Sequence, residues 1–203
     1  TQDYFEQIKA AKFPPSMSID TIRYESYQPP LYYLAAAPVY MIARILSGQS
    51  MDGLNAIVIA LRLFSVALGV IVLIVAFNII REIFPDDNLL PLATVGLMAT
   101  VPMHIAVSAS ISNDLAAELV LILILWLAVK RVKGTVTDKR FVILGGFLFG
   151  AALLTKSTAY VTGVVLLVVA EFAYRRITHH ASRIAHSVWR MAYTLVPLFL
   201  IAT

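Results

Sequence analysis

From residue 57 onward, long apolar runs alternate with short polar stretches. The runs at 57–80, 89–111, 114–129 and 141–172, and another opening near 189, reach or approach the roughly 20 residues a helix needs to cross a bilayer core of about 30 Å. The pattern predicts an all-α fold, a polytopic transmembrane helix bundle over residues 57–203. A first extracytoplasmic loop with a juxtamembrane helix precedes it over residues 1–56. As one rod, the 32 residues of run 141–172 would measure roughly 48 Å. Lys156 would then sit at the bilayer centre, which costs about 2.5–3.5 kcal/mol. Both objections disappear if the run is a hairpin, with arms at about 141–154 and 157–172 and its tip at Thr155-Lys156-Ser157. A last helix over about 189–203 completes the set.

The upstream part follows a different pattern. Residues 29–46 are apolar, yet Pro38 interrupts them and Arg44 charges their last turn. Tyr27, Tyr32, Tyr33 and Tyr40 suit a membrane interface better than its centre. The expectation is a helix lying on the membrane surface. A kinked crossing is the alternative, and it would carry residues 1–28 to the other side. Those residues are polar, include Pro14-Pro15, and predict a short helix around 4–12. The chain opens at Thr1 and stops at Thr203 within an apolar run, so it reads as a fragment.

Composition sharpens this picture. At 60% hydrophobic and 14% charged residues, the chain departs from the 45–50% and about 25% of soluble domains. Disorder and a nucleic-acid module are excluded on that ground. With no cysteine, disulfides, thiolate metal sites and a cysteine nucleophile are excluded as well. The net charge of +4 matters less than where the cations lie. Lys130, Arg131, Lys133, Lys139 and Arg140 crowd one inter-helix stretch, and Arg175, Arg176, Arg183 and Arg190 the next. By the positive-inside rule both face the cytoplasm. The hairpin tip, the turn at Ser112-Asn113-Asp114, Arg62 and the Tyr/Pro-rich stretch then gather on the opposite, extracytoplasmic face.

Each polar residue there carries two readings. Asp114, after Asn113, is placed either to cap a restarting helix or to serve a site. Glu118 lies one turn later on the same face, and a cap does not need it. Lys156 and Arg62 are either interfacial anchors or cations for an anionic headgroup. His104, beside Pro102, reads as a hydrogen-bonded packing residue. His179, His180 and His186 read as a solvated face. Gly145-Gly146 with Gly150 suit close helix packing. No metal-binding, paired-cysteine or phosphate-loop motif occurs.

Four segments resemble, in order, elements of the GT-C membrane glycosyltransferases, the superfamily of protein O-mannosyltransferases, aminoarabinose transferases and their bacterial relatives. They are Tyr24-Glu25-Ser26-Tyr27-Gln28-Pro29-Pro30-Leu31-Tyr32-Tyr33, Arg62-Leu63-Phe64-Ser65, Asn113-Asp114-Leu115-Ala116 and Leu154-Thr155-Lys156-Ser157. The resemblance spans roughly residues 24–165. It implies a multi-pass protein of the bacterial plasma membrane, a polyprenyl-phosphate-linked sugar donor, and transfer to an acceptor hydroxyl at the extracytoplasmic face. Asp114 matches the second acidic site, with Asn113 and Glu118 as further candidates. Lys156 and Arg62 match basic positions facing the donor phosphate, and Gln28, Pro29, Pro30, Tyr32 and Tyr33 shape the substrate wall. The main general base is expected ahead of Thr1; Asp3 would fill that place only in a shifted register. The chain alone is accordingly expected to be inactive. No cofactor follows from the sequence, and a divalent metal stays open because branches of the superfamily differ. A secondary transporter is the main alternative, although no internal repeat is visible; a membrane scaffold is the third.

Overall fold

The computed structural model describes residues 2–11, 29–47 and 51–178. The expected helix over 189–203, Gln28, and the histidines at 179, 180 and 186 lie outside them. Among the described residues the structure is helical, without strands: α1 (Gln2–Ala10), α2 (Leu31–Ser47), α3 (Met51–Ile83), α4 (Leu89–Thr100), α5 (Pro102–Ser108), α6 (Asp114–Val132), α7 (Asp138–Leu153) and α8 (Ser157–Thr178). Two spans are long and apolar enough to cross a membrane, Asp52–Ile83 and Ser157–Ile177. A third exists if the bent pair α4–α5 counts as one. Outward-facing Leu46 (81% exposed) and Phe147 (74%) are apolar surface of the kind that lipid covers.

The helices α6, α7 and α8 form an antiparallel unit. α7 and α8 are joined through Leu154-Thr155-Lys156, so residues 141–172 fold back on themselves instead of forming one rod. Ile124 and Leu127 of α6 pack with Phe141 and Phe149 of α7 and with Ala159 and Leu167 of α8, all buried. α6 closes with Gly134 at φ +72°, the left-handed conformation that ends helices.

Close packing within this unit rests on a glycine that the pattern did not single out. A Cβ on Gly163 would stand 2.8 Å from Ile124 Cδ1, whereas one on Gly146 would meet nothing within 4 Å. Gly145 would make only ordinary contact with Leu167. Gly163→Leu is therefore expected to overpack the α6–α8 contact and cost about 1–3 kcal/mol, while Gly146→Ala, in the interior of α7 with open space around it, should stabilise by about 0.5–1 kcal/mol. Thermal unfolding in detergent checks the pair.

The single crossing expected over 89–111 is two helices meeting at 69°. Pro102 supplies the cause: it has no N–H to donate, and its ring forces the preceding residue out of the helical region. Val101 accordingly sits at φ −64°, ψ 117°, and Pro102 opens α5.

α2 packs along the first half of α3. Tyr32, Ala36 and Ala43 form its buried face, and Tyr32 and Ala36 meet Leu61, Phe64 and Leu68 of α3 together with Ala116 of α6. Its 17 residues measure about 26 Å, slightly less than a bilayer core.

Candidate active site

Three chain segments remote in sequence meet at one end of the bundle. Asn113, 2% exposed, lies at the junction. Its side-chain Nδ2 donates to the carbonyl of Thr155 and, at 3.4 Å, to that of Pro29. Leu31 N–H donates to the Leu154 carbonyl at 2.9 Å, so the start of α2 is stitched to the hairpin tip. Thr155 is itself fully buried and turns its hydroxyl back to the Ala152 carbonyl at 2.8 Å. Tyr32 reaches down from α2 to Ser65 of α3, with the two hydroxyls 2.7 Å apart. Its ring lies edge-on to Tyr33, with centroids 5.5 Å apart.

This stitching brings Asp114 and Lys156 together. Lys156 Nζ lies 2.5 Å from Asp114 Oδ1, with both side chains roughly half exposed. Asn113, the cap residue of α6, makes no side-chain capping bond, and Asp114 stands in the first turn of the helix. The N–H of Asp114 donates to the Ser112 hydroxyl at 3.1 Å, and the Asp114 carboxylate pairs with the Lys156 ammonium.

Below the pair is a cavity of about 390 Å³. Asp114, Glu118, Lys156, Thr158 and Thr162 supply its polar wall, and leucine and isoleucine side chains of α6 and α8 supply most of the rest. Glu118 is held from the opposite side, its Oε1 3.2 Å from His104 Nδ1. His104, expected as a hydrogen-bonded packing residue, is one, and its partner is a carboxylate that lines the cavity. Pro102 starts a new helix there, and His104 on it meets α6.

Arg62 is not brought into this group. It is exposed on α3, it does not line the cavity, and among the described residues it makes no ion pair with Asp114 or Glu118. Pro29 and Pro30 stand at the entrance of α2, next to the hairpin tip. For Asp3 only the helix is described. Among the described residues no three histidine, cysteine, aspartate or glutamate side chains cluster to ligate a metal. Asp114 and Glu118 share a helix face, but each is engaged by a different cationic or imidazole partner.

A helical membrane protein with an ammonium–carboxylate pair over a largely aliphatic cavity is suited to a lipid substrate with an anionic head. Residues 55–203 match the family described as dolichyl-phosphate-mannose-protein mannosyltransferase, and the chain belongs to that family of GT-C membrane glycosyltransferases. No curated protein and no solved structure matches it.

Proposed function

We propose that this protein transfers a sugar from a polyprenyl-phosphate-linked donor to an acceptor hydroxyl, at the end of the bundle that carries Asp114 and Lys156. The supporting observation is the meeting of those two side chains at the mouth of the 390 Å³ cavity. A donor with a long hydrocarbon tail needs entry from the bilayer, and the aliphatic walls suit the first units of such a tail. The acceptor oxygen bonds to the anomeric carbon as the bond from that carbon to the phosphate oxygen breaks. The acceptor proton passes to a carboxylate, and polyprenyl phosphate leaves with the electron pair, inverting the anomeric carbon.

Lys156 meets the charge developing on the departing phosphate, where a fixed cation is most effective. Asp114 holds that ammonium in place and acts as the second acidic group. Glu118, oriented by His104, lines the deeper part of the cavity, and Arg62 has no role in this scheme. The opposite end carries Lys130, Arg131, Lys139 and Arg140, which supports a site on the extracytoplasmic side of the membrane.

The test uses the protein with whatever precedes Thr1 and follows Thr203, reconstituted with polyprenyl phosphates carrying radiolabelled sugars. Label is expected to leave the lipid for an acceptor, with one free polyprenyl phosphate per transfer. Movement of a solute across the vesicle without donor cleavage would favour a transporter, a reading to which the bent α4–α5 pair lends some support. Intact donor throughout would refute glycosyl transfer.

A further inference from the structure

A second cavity lies at the far end of the bundle, away from Asp114 and Lys156. It measures about 550 Å³ and is bounded by α6, α7, the turn between them and the end of α3. Leu144 and Phe147, both exposed, contribute apolar lining, so the cavity opens onto surface that the bilayer covers. Lys130 and Arg140 line it as well, with Glu82 as the acidic residue of the wall. Lys133 donates to the Glu82 backbone carbonyl, tying α3 to the end of α6.

Trp126 connects the apolar and charged parts. Lys130 Nζ lies 4.2 Å from the centre of the Trp126 ring. The indole Nε1 is buried and has no hydrogen-bond partner among the described residues. A buried N–H of this kind ordinarily finds an acceptor.

We propose that this cavity binds an anionic phospholipid from the leaflet on the side of the basic loop. Lys130 and Arg140 take the phosphate, and Leu144 and Phe147 take the first methylenes of an acyl chain. Three observations support this occupant over a second protein chain. Two cations outnumber the one carboxylate. They stand next to apolar surface that needs lipid cover. Basic pockets between membrane helices are a recurring way of binding anionic headgroups, and guanidinium matches phosphate geometry. The site is independent of the glycosyl-transfer reading, and its test does not measure transfer.

Trp126 and Trp189 are the two tryptophans of the chain, so Trp189→Phe leaves Trp126 as the sole reporter. That variant is reconstituted into phosphatidylcholine vesicles doped with brominated phosphatidylglycerol or with brominated phosphatidylcholine of the same acyl chains. Brominated phosphatidylglycerol is expected to quench Trp126 at roughly tenfold lower mole fraction, in keeping with the effect of two cations near an anionic headgroup. K130Q/R140Q should remove the preference and K130R/R140K should retain it. Millimolar inorganic phosphate added to phosphatidylcholine vesicles should leave the emission unchanged; a response there would assign the site to free phosphate and overturn the lipid. Equal quenching by the two lipids, or a preference that survives K130Q/R140Q, also overturns it. So does the absence of quenching by either lipid.

Discussion

Lys156→Ala is expected to slow sugar transfer by about 10²–10³-fold, the usual effect of removing one group that stabilises transition-state charge. The protein should still insert and fold, because a half-exposed ion pair contributes only about 0–1 kcal/mol to stability. Function and fold therefore separate at this position. Asp114→Asn preserves size and hydrogen-bonding capacity but removes the charge that holds the ammonium, so it should give a smaller loss of the same kind. The double reversal Asp114→Lys with Lys156→Asp rebuilds an ion pair with its cation displaced onto α6. It should restore stability without restoring turnover. Single-turnover cleavage of a labelled polyprenyl-phosphate sugar, measured beside thermal unfolding, reads both quantities. Unchanged turnover in Lys156→Ala and Asp114→Asn would reduce the pair to a surface contact and remove it from the mechanism.

The sequence made some of this site legible and left other parts dark, for physical reasons. Lys156 is a lone cation in a run too long for one crossing, so both length and charge cost pointed to a turn there. Asp114 stood out because a helix had to restart after Asn113. Their meeting then followed from counting basic loops. Arg62 did not join them, and the reason lies in α3, whose residues are apolar nearly all the way round. In such a helix the pattern does not reveal which side faces the bundle. The buried stripe of Ser65, Val72, Ala76 and Ile79 became visible only with the neighbours in place, and Arg62 lies off it. His104 was legible as a hydrogen-bonded packing residue but its partner Glu118 was not, because Pro102 had been read inside a continuous span, whereas its chemistry breaks the helix there. Arg131 was counted among the cations of an inter-helix stretch, yet its side chain is 2% exposed. Its partner Glu171 lies 40 positions away at the end of an apolar run, beyond any local signal.

That buried arginine should carry the largest stability effect in the molecule. Arg131 Nε donates to Glu171 Oε2 at 2.7 Å, and Nη1 lies 2.8 Å from Asp138 Oδ1. The guanidinium also lies 3.8 Å from the centre of the Tyr174 ring and 5.0 Å from that of Phe141. One side chain of α6 thus ties the start of α7 to the end of α8. Removing one member of a buried pair typically costs about 3–5 kcal/mol, because the other charge stays behind without compensation. Arg131→Met leaves Glu171 with Arg175, whose Nε donates to Glu171 Oε1 at 2.5 Å, so its cost should fall near the lower limit. Glu171→Leu leaves Arg131 with Asp138 as its one remaining carboxylate among the described residues, 75% exposed and well screened, so this variant should be the more damaging. The double variant Arg131→Met with Glu171→Leu removes both desolvated charges and should be more stable than Glu171→Leu alone. Denaturant titration of the four proteins in one detergent measures the coupling. Additive losses would mean that the two residues stabilise the bundle independently, and the clamp would be no more than packing. A coupling of about 2 kcal/mol or more would establish that α6 and α8 are held at this end by charge.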